Sequence, residues 1–296
     1  MFLAIIVDYS GNKILNTAIK NVVPMKAIIV AAGPGSRLRP LTEEKPKCLL
    51  EVGGKTILQW ALDALRKNGV NDIVIVRGHK KDALNYPDIR YYYNPNYLEN
   101  NILVSLFYAE SEMKDEFLFS YSDILYDEAI VRKLLQSKHD ISIVVDADWA
   151  KMYEKRTLHP TDEAELVRVK DGKVIQISKF MNPDVAHGEF IGLAKFSEKG
   201  AEILARNYKR CLENSWCGFK ELQRFHDSNS FEKAYLTDIL QELIDRGYPI
   251  HNVGIKGGWM EIDTLQDLQK ARRIWAKHDE QVAFATENKQ WPSKII

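Results

Sequence analysis

Residues 26–54, KAIIVAAGPGSRLRPLTEEKPKCLLEVGG, hold the densest set of side chains and bare backbone able to do chemistry in this chain. The apolar run Ala27 to Val30 leads into the small-residue loop Ala31-Ala32-Gly33-Pro34-Gly35-Ser36. Arg37 and Arg39 follow, then Lys45-Pro46-Lys47. A buried strand ending in such a loop lets backbone N–H groups approach a polyanion, with cations placed to meet its charge. The pattern points to a nucleoside-triphosphate site. Carboxylates stand elsewhere: Asp123 follows the apolar run Phe117–Tyr121, and Glu261 and Asp263 alternate in Trp259-Met-Glu-Ile-Asp. A period of two puts Glu261 and Asp263 on the same side of a strand. Asp123 stands at a predicted strand end, where an α/β sheet presents its ligands.

Three phosphate-loop patterns compete for the opening stretch. A dinucleotide fingerprint needs a third glycine near position 38 and an acid after the second strand, but the chain has Leu38 and Val76-Arg77 there. A P-loop ending in Gly54-Lys55-Thr56 needs a glycine where Leu49 stands, so those residues read as a loop entering a helix. The third pattern is GxGxRLxPLTxxxPKxLLxVGGKxIL, carried by Gly33, Gly35, Arg37, Leu38, Pro40, Leu41, Thr42, Pro46, Lys47 and Gly53. In these residues the sequence resembles the sugar-phosphate nucleotidylyltransferase superfamily.

That resemblance implies attack by an acceptor phosphate oxygen on the α-phosphorus of a nucleoside triphosphate, with pyrophosphate leaving. Ala32, Gly33, Gly35 and Ser36 would line the triphosphate, Arg37 would neutralise the leaving pyrophosphate, and Lys47 would hold the α- and acceptor phosphates together. Arg39 and Lys45 read as solvated surface charge. Mg²⁺ is implied, with Asp123 as first metal carboxylate and Glu261 and Asp263 as the second set; Ser122 adjoins Asp123 on the nucleotide side. Arg37, Lys47, Asp123 and Asp263 are thus the implied catalytic set. A finer resemblance is to phosphocholine and phosphonoalkyl cytidylyltransferases. It rests on Asn100-Asn101-Ile-Leu-Val-Ser105-Leu106, Val145-Asp146-Ala-Asp148-Trp149, His187-Gly-Glu189-Phe-Ile-Gly-Leu193 and the Trp259–Asp263 segment. CTP and a small phosphorylated or phosphonate acceptor such as phosphocholine are implied, with Asn101 a candidate base contact. A hexose 1-phosphate acceptor with UTP or dTTP is the nearest alternative, and a non-catalytic regulatory relative a remote one.

An amine head group is held by aromatic faces beside carboxylates. Trp149 with Asp146, and Trp259 with Glu261, offer that chemistry. Glu189, Trp216 and Tyr235 are further acceptor candidates, and Lys179 is placed to meet the acceptor phosphate. The proposed transfer needs no histidine base, and the seven histidines show no metal spacing.

The elements that must position these groups follow from hydrophobic period. Apolar runs at 27–30, 70–76, 89–93, 117–121 and 141–145 alternate with helical patterns at 55–68, 101–113 and 127–137. This predicts an α/β fold with a Rossmann-like, mainly parallel sheet covered by helices on both faces. From about 146 to 196 the pattern changes to short β segments, read as an insertion forming the acceptor side over the carboxyl edge of the sheet. Helices are expected at 198–213, 218–227, 236–246 and 265–277, and closing strands at 250–255 and 259–262. One nucleotidyltransferase domain, 25–277, is therefore expected, flanked by an extension (1–24, possibly a hairpin) and a tail (278–296). The extension suits either the sheet edge or a subunit contact in a homodimer.

Acidic and basic residues balance at 41 each, which offers no bulk attraction to nucleic acid or a membrane surface. Cys48, Cys211 and Cys217 lack CxxC spacing, which fits a reducing cytoplasm better than a disulfide framework or structural zinc.

Overall fold

The computed structural model describes residues 24–154, 156–158, 161–217 and 224–275. The expected N-terminal hairpin and the tail lie outside the described residues. In chain order the strands are β1 (Lys26–Ala31), β2 (Glu51–Val52), β3 (Lys55–Thr56), β4 (Asp72–Arg77), β5 (Ile89–Tyr93), β6 (Phe117–Tyr121) and β7 (Ile124–Tyr126). They continue with β8 (Ile141–Asp146), β9 (Leu166–Lys170), β10 (Lys173–Ser178), β11 (Gly188–Phe196), β12 (Ile250–Ile255) and β13 (Trp259–Glu261). The helices are α1 (Ile57–Lys67), α2 (Ile102–Phe107), α3 (Glu128–Leu135), α4 (Ala150–Tyr153), α5 (Glu198–Cys217) and α6 (Leu236–Asp245), with α7 at residues 265–275.

The main sheet runs β5-β4-β1-β6-β11-β8-β12-β10-β9. Strand β1 pairs in parallel with β4 on one side and β6 on the other, so its end delivers the Gly33–Gly35 loop at the middle of the carboxyl edge. Side chains alternate across the sheet with the strand period. Ile28, Val30, Phe117, Phe119, Ile143 and Val145 face a layer that takes Leu106 of α2, Leu204 of α5 and Leu240 of α6. Ala27, Ile29, Leu118 and Val144 face the opposite layer, which takes Leu58 and Leu62 of α1 and Val131 of α3. Helices cover both faces, as the periodicity predicts. At the start of α1, Thr56 Oγ1 accepts from Gln59 N at 3.0 Å, so Gly54-Lys55-Thr56 is a turn and helix cap rather than a phosphate loop.

The sheet is mixed, not mainly parallel. β11 runs antiparallel to both neighbours, β6 and β8, and β10 runs antiparallel to β12 and β9. The β-rich segment therefore does not sit over the sheet as a separate layer; it supplies the strand that fills the sheet's middle. All nine residues of β11 are buried, and a strand buried on both faces reads as the same apolar run in either direction. Two helices also differ from expectation. α2 stops at Phe107, with a 3₁₀ turn at Glu110–Glu112 completing the segment. Of the helix expected at 218–227, residues 218–223 lie outside the described residues, and Phe225 and Ser228 form a bridged turn. Among the described residues no helix is long and apolar enough to cross a membrane.

Candidate active site

A cavity of about 350 Å³ opens at the carboxyl ends of β1 and β6 and the start of β11. One wall is the loop after β1. Gly35 sits at φ 59°, where L side chains are strained, and a Cβ there would lie 3.0 Å from Lys47 Cβ. The residue keeps the loop folded onto Lys47, and Thr42 Oγ1 donates to its carbonyl at 2.8 Å. Gly33 differs: a Cβ built on it meets nothing within 4 Å, so the protein's own packing does not require a glycine there. Its bare backbone faces the cavity, together with Ala32, Ser36 and Arg37. His79 N donates to Ala32 O at 2.9 Å and its Nε2 lies 2.8 Å from Thr42 O, tying the loop after β4 to this wall.

The facing wall is a carboxylate cluster built by the small β7–β13 ribbon. Glu261 stands opposite Ile124, and Ile262 N donates to Asp123 O at 3.0 Å. The ribbon brings one oxygen each of Asp123, Glu261 and Asp263 to within 4.8 Å of one another. Lys47 Nζ reaches into the group, 2.7 Å from Asp123 Oδ2 and 2.5 Å from Asp263 Oδ1. Arg37 pairs with Asp263 Oδ2 at 2.8 Å. Burial works against the charge on Lys47, but Asp123, Asp263 and Glu261 outweigh it and raise its pKa. Burial, followed by Asp263 and Asp123, pushes the Glu261 carboxyl well above the usual range. Behind the cluster, Asp267 Oδ2 accepts from Asp263 N (3.2 Å) and from Thr264 N and Oγ1 (both 2.8 Å), while its Oδ1 pairs with buried Arg156 at 2.8 Å.

The group fits a hard divalent cation. It offers only carboxylate oxygens, and Asp123 Oδ1 is buried with no hydrogen-bond partner.

The far end of the cavity is lined by Glu163, Glu165, Lys179, Glu189, Tyr121 and Tyr235. Tyr121 Oη donates to Glu165 Oε2 at 3.0 Å, and Tyr153 Oη donates to Glu189 Oε1 at 2.6 Å. Lys179 Nζ lies 3.9 Å from Glu165 Oε1, 4.0 Å from Glu163 Oε2 and 3.8 Å from the centre of the Tyr235 ring. Glu165 is 7% exposed and Glu189 4%. Burial raises their carboxyls to about 7 and about 8. Gly192, at φ 82°, leaves room for the Tyr121 ring where any Cβ would collide with it.

The predicted residues of the first two walls converge on this cavity: Ala32, Gly33, Gly35, Ser36, Arg37, Lys47, Ser122, Asp123, Glu261 and Asp263 all line it. Lys179, Glu189 and Trp259 line it as well. Asp146 and Trp149 do not, which corrects the acceptor set. Asp146 is fully buried, and its oxygens accept from Asp148 N (3.0 Å), Gly257 N (2.9 Å) and Trp259 Nε1 (2.8 Å). It fastens β8 to the approach of β13. Trp149 packs with Tyr153, Ala164, Leu166 and Met181 in a separate apolar cluster. Asn101 lines the cavity, but its amide accepts from Ile102 N (2.9 Å) and donates to Lys233 O (3.0 Å), so the side chain is already committed as a helix cap and loop tie. The side chain of Trp216 lies outside the described residues. Missed by sequence reasoning were Glu165, Tyr121 and Tyr153, which stand just before β9, at the end of β6 and in the short helix α4 with no local pattern to mark them.

Three comparisons bear on this site. Residues 27–282 match the model of the MobA-like NTP transferase domain. A CTP:phosphoglutamine cytidylyltransferase of Campylobacter jejuni is 35% identical over 258 residues, covering 83% of this chain and 98% of that protein. A choline-phosphate cytidylyltransferase of Streptococcus pneumoniae is 33% identical over 119 residues, 39% of this chain and 52% of that protein. Among solved structures, an inositol-1-phosphate CTP transferase of T. maritima shares the fold at TM-score 0.66 and 22% identity, covering 87% of this chain and 97% of that one. The chain belongs to the MobA-like NTP transferase domain family, and it is a nucleotidyltransferase.

Proposed function

We propose that the protein transfers CMP from CTP to a small phosphorylated or phosphonate acceptor and releases pyrophosphate. The observation that carries this reading is the opposition, across one cavity, of a cation-bearing phosphate loop and a three-carboxylate cluster. CTP as donor is supported by the two relatives named for CTP or choline-phosphate chemistry.

In this reading the backbone at Ala32–Ser36 takes the triphosphate, and Arg37 meets the charge that builds on the departing pyrophosphate. Lys47 sits between the phosphate loop and the cluster, positioned to draw the acceptor phosphate and the α-phosphate together. That placement lets its charge stabilise the crowded transition state. Asp123, Glu261 and Asp263 would hold Mg²⁺, which when bound supplies charge neutralisation at the phosphates. Asp267 and Arg156 fix the backbone from which Asp263 projects. No side chain near the reacting phosphates is needed as a base, since a phosphate or phosphonate oxygen is already ionised at neutral pH.

The test is pyrophosphate release from CTP, UTP, dTTP and ATP with a panel of phosphoalcohols, phosphonates and hexose 1-phosphates. CTP with an acceptor of the first two classes is expected to support turnover that Asp123→Ala abolishes. Turnover only with UTP or dTTP and a hexose 1-phosphate would refute the donor assignment.

A further inference from the structure

The cations that line the cavity are held in two different ways. Lys47 and Arg37 pair with the carboxylate cluster at 2.5 to 2.8 Å. The Lys179 ammonium lies 3.9 Å from the nearest oxygen of Glu165 and 4.0 Å from that of Glu163, and rests 3.8 Å from the centre of the Tyr235 ring. Those distances give charge attraction without a hydrogen bond. The N–H groups of Lys179 are thus left for an anion in the cavity, at the end away from the loop that takes the triphosphate.

An ammonium on a flexible four-carbon stem meets a phosphate in one place only if the stem starts from a fixed one. Lys179 stands one residue past β10, and a side chain that does not line the cavity holds its backbone. Asp227 Oδ2 accepts from Lys179 N at 2.6 Å, and Asp227 Oδ1 accepts from Ser178 Oγ at 2.9 Å. Asp227 is fastened in turn. Its N donates to Asp238 Oδ1 at 2.8 Å, and the other oxygen of Asp238 accepts from Tyr235 N at 2.7 Å. Asp238 is 1% exposed and stands in the first turn of α6. The backbone that carries the Lys179 ammonium and the ring beneath that ammonium therefore hang from the same two acids.

We propose that Asp227 is a positioning residue for the acceptor anion: by holding the Lys179 backbone it sets where the Lys179 ammonium meets the acceptor's phosphate or phosphonate, with Asp238 fixing Asp227 and Tyr235 together. This rests on the cytidylyl-transfer reading above for the identity of the anion.

Phosphocholine, glycerol 3-phosphate and methylphosphonate are titrated calorimetrically into the full chain with Mg²⁺ and a non-hydrolysable CTP analogue. Pyrophosphate release with CTP is followed in parallel across the acceptor panel above. Lys179→Met is expected to weaken anion binding on the order of 10- to 100-fold, the worth of one charge-assisted hydrogen bond. Asp227→Ala should weaken it about tenfold and raise the KM for acceptor in step, with kcat and the KM for CTP changed by less than about threefold. Asp227→Asn keeps an oxygen for Lys179 N and should recover wild-type binding to within about threefold. In the Lys179→Met background Asp227→Ala should cost nothing more, because Asp227 acts through Lys179. Binding of the CTP analogue reports that each variant is folded. The proposal is overturned by an equal cost of Asp227→Ala with and without Lys179, by an asparagine variant as impaired as the alanine one, by no cost of either substitution, or by no binding of any of the three anions. Anion binding that depends on Asp227 without CTP turnover would leave this assignment standing and remove the transfer reading; CTP turnover indifferent to Asp227 would do the reverse.

Discussion

The two ends of the cavity treat charge in opposite ways. At the phosphate-loop end two cations reach into the carboxylates: Lys47 bridges Asp123 and Asp263, and Arg37 holds the other oxygen of Asp263, while Asp123 Oδ1 keeps no partner. Ligands entering there must exchange partners with groups that have them. At the far end the carboxylates outnumber the cation, and an oxygen of Glu189 is left without a donor. In the proposed reading the first end handles the phosphates and the second meets what the acceptor phosphate is attached to. On that reading, substitutions at the two ends should divide between turnover and use of the acceptor.

The largest break comes from behind the paired end. Asp267→Ala removes the carboxylate paired with buried Arg156 and frees the Asp263 backbone, at a cost of about 3–5 kcal/mol. Urea unfolding should show this as a marked drop in midpoint. Next in size, Lys47→Met removes the cation from between the carboxylates. A loss of roughly 10²–10³ in kcat is expected, comparable with removing one oxyanion donor. Mn²⁺ binding without nucleotide, followed by electron paramagnetic resonance, should tighten, because the repulsion within the cluster is then relieved only by the metal.

Gly192→Ala tests the unpaired end. It forces a side chain into a left-handed conformation against the Tyr121 ring, for about 1–3 kcal/mol. The KM for acceptor should rise while that for CTP changes little, a split read in steady-state kinetics. A pH dependence tests the same end without touching the fold. The Glu189 carboxyl keeps its proton to about pH 8 in the folded protein but loses it near its ordinary value of 4.5 when unfolded. Between those values the native state binds more protons, so this group lowers stability as pH rises. Glu189→Gln removes the effect, and its Tm relative to wild type should climb steadily between pH 5 and pH 8.

The same contrast explains what was legible in the sequence. The phosphate loop is one contiguous segment whose glycines, cations and prolines must stand at fixed offsets, and Asp123 and the Glu261/Asp263 pair each follow a strand run. Linear order carries such a site. The far end is assembled from β6, the residue before β9, β11 and the short helix α4, and no local pattern joins Tyr121, Tyr153, Glu165 and Glu189. Asp146 and Trp149 show the converse hazard. An acid near an aromatic in sequence reads as a binding pair, but whether the carboxylate has oxygens to spare depends on distant donors, here Gly257 N and the Trp259 indole. Strand direction was equally hidden. Hydrophobic run length located β11 within two residues, yet nothing in its residues distinguishes a parallel central strand from an antiparallel one.

The place of β11 sets the order in which the chain can be completed during synthesis. β6 and β8 are made long before Gly188–Phe196, and each leaves an edge facing the gap that β11 later fills. A nascent chain ending before residue 188 carries a split sheet whose strands still lack their partners β11 and β12, a form prone to association. The strand that closes this gap is also the one that carries Glu189. β12 and the segment that carries Glu261 and Asp263 are made later still, so the sheet and the carboxylate cluster are both completed only near the end of synthesis.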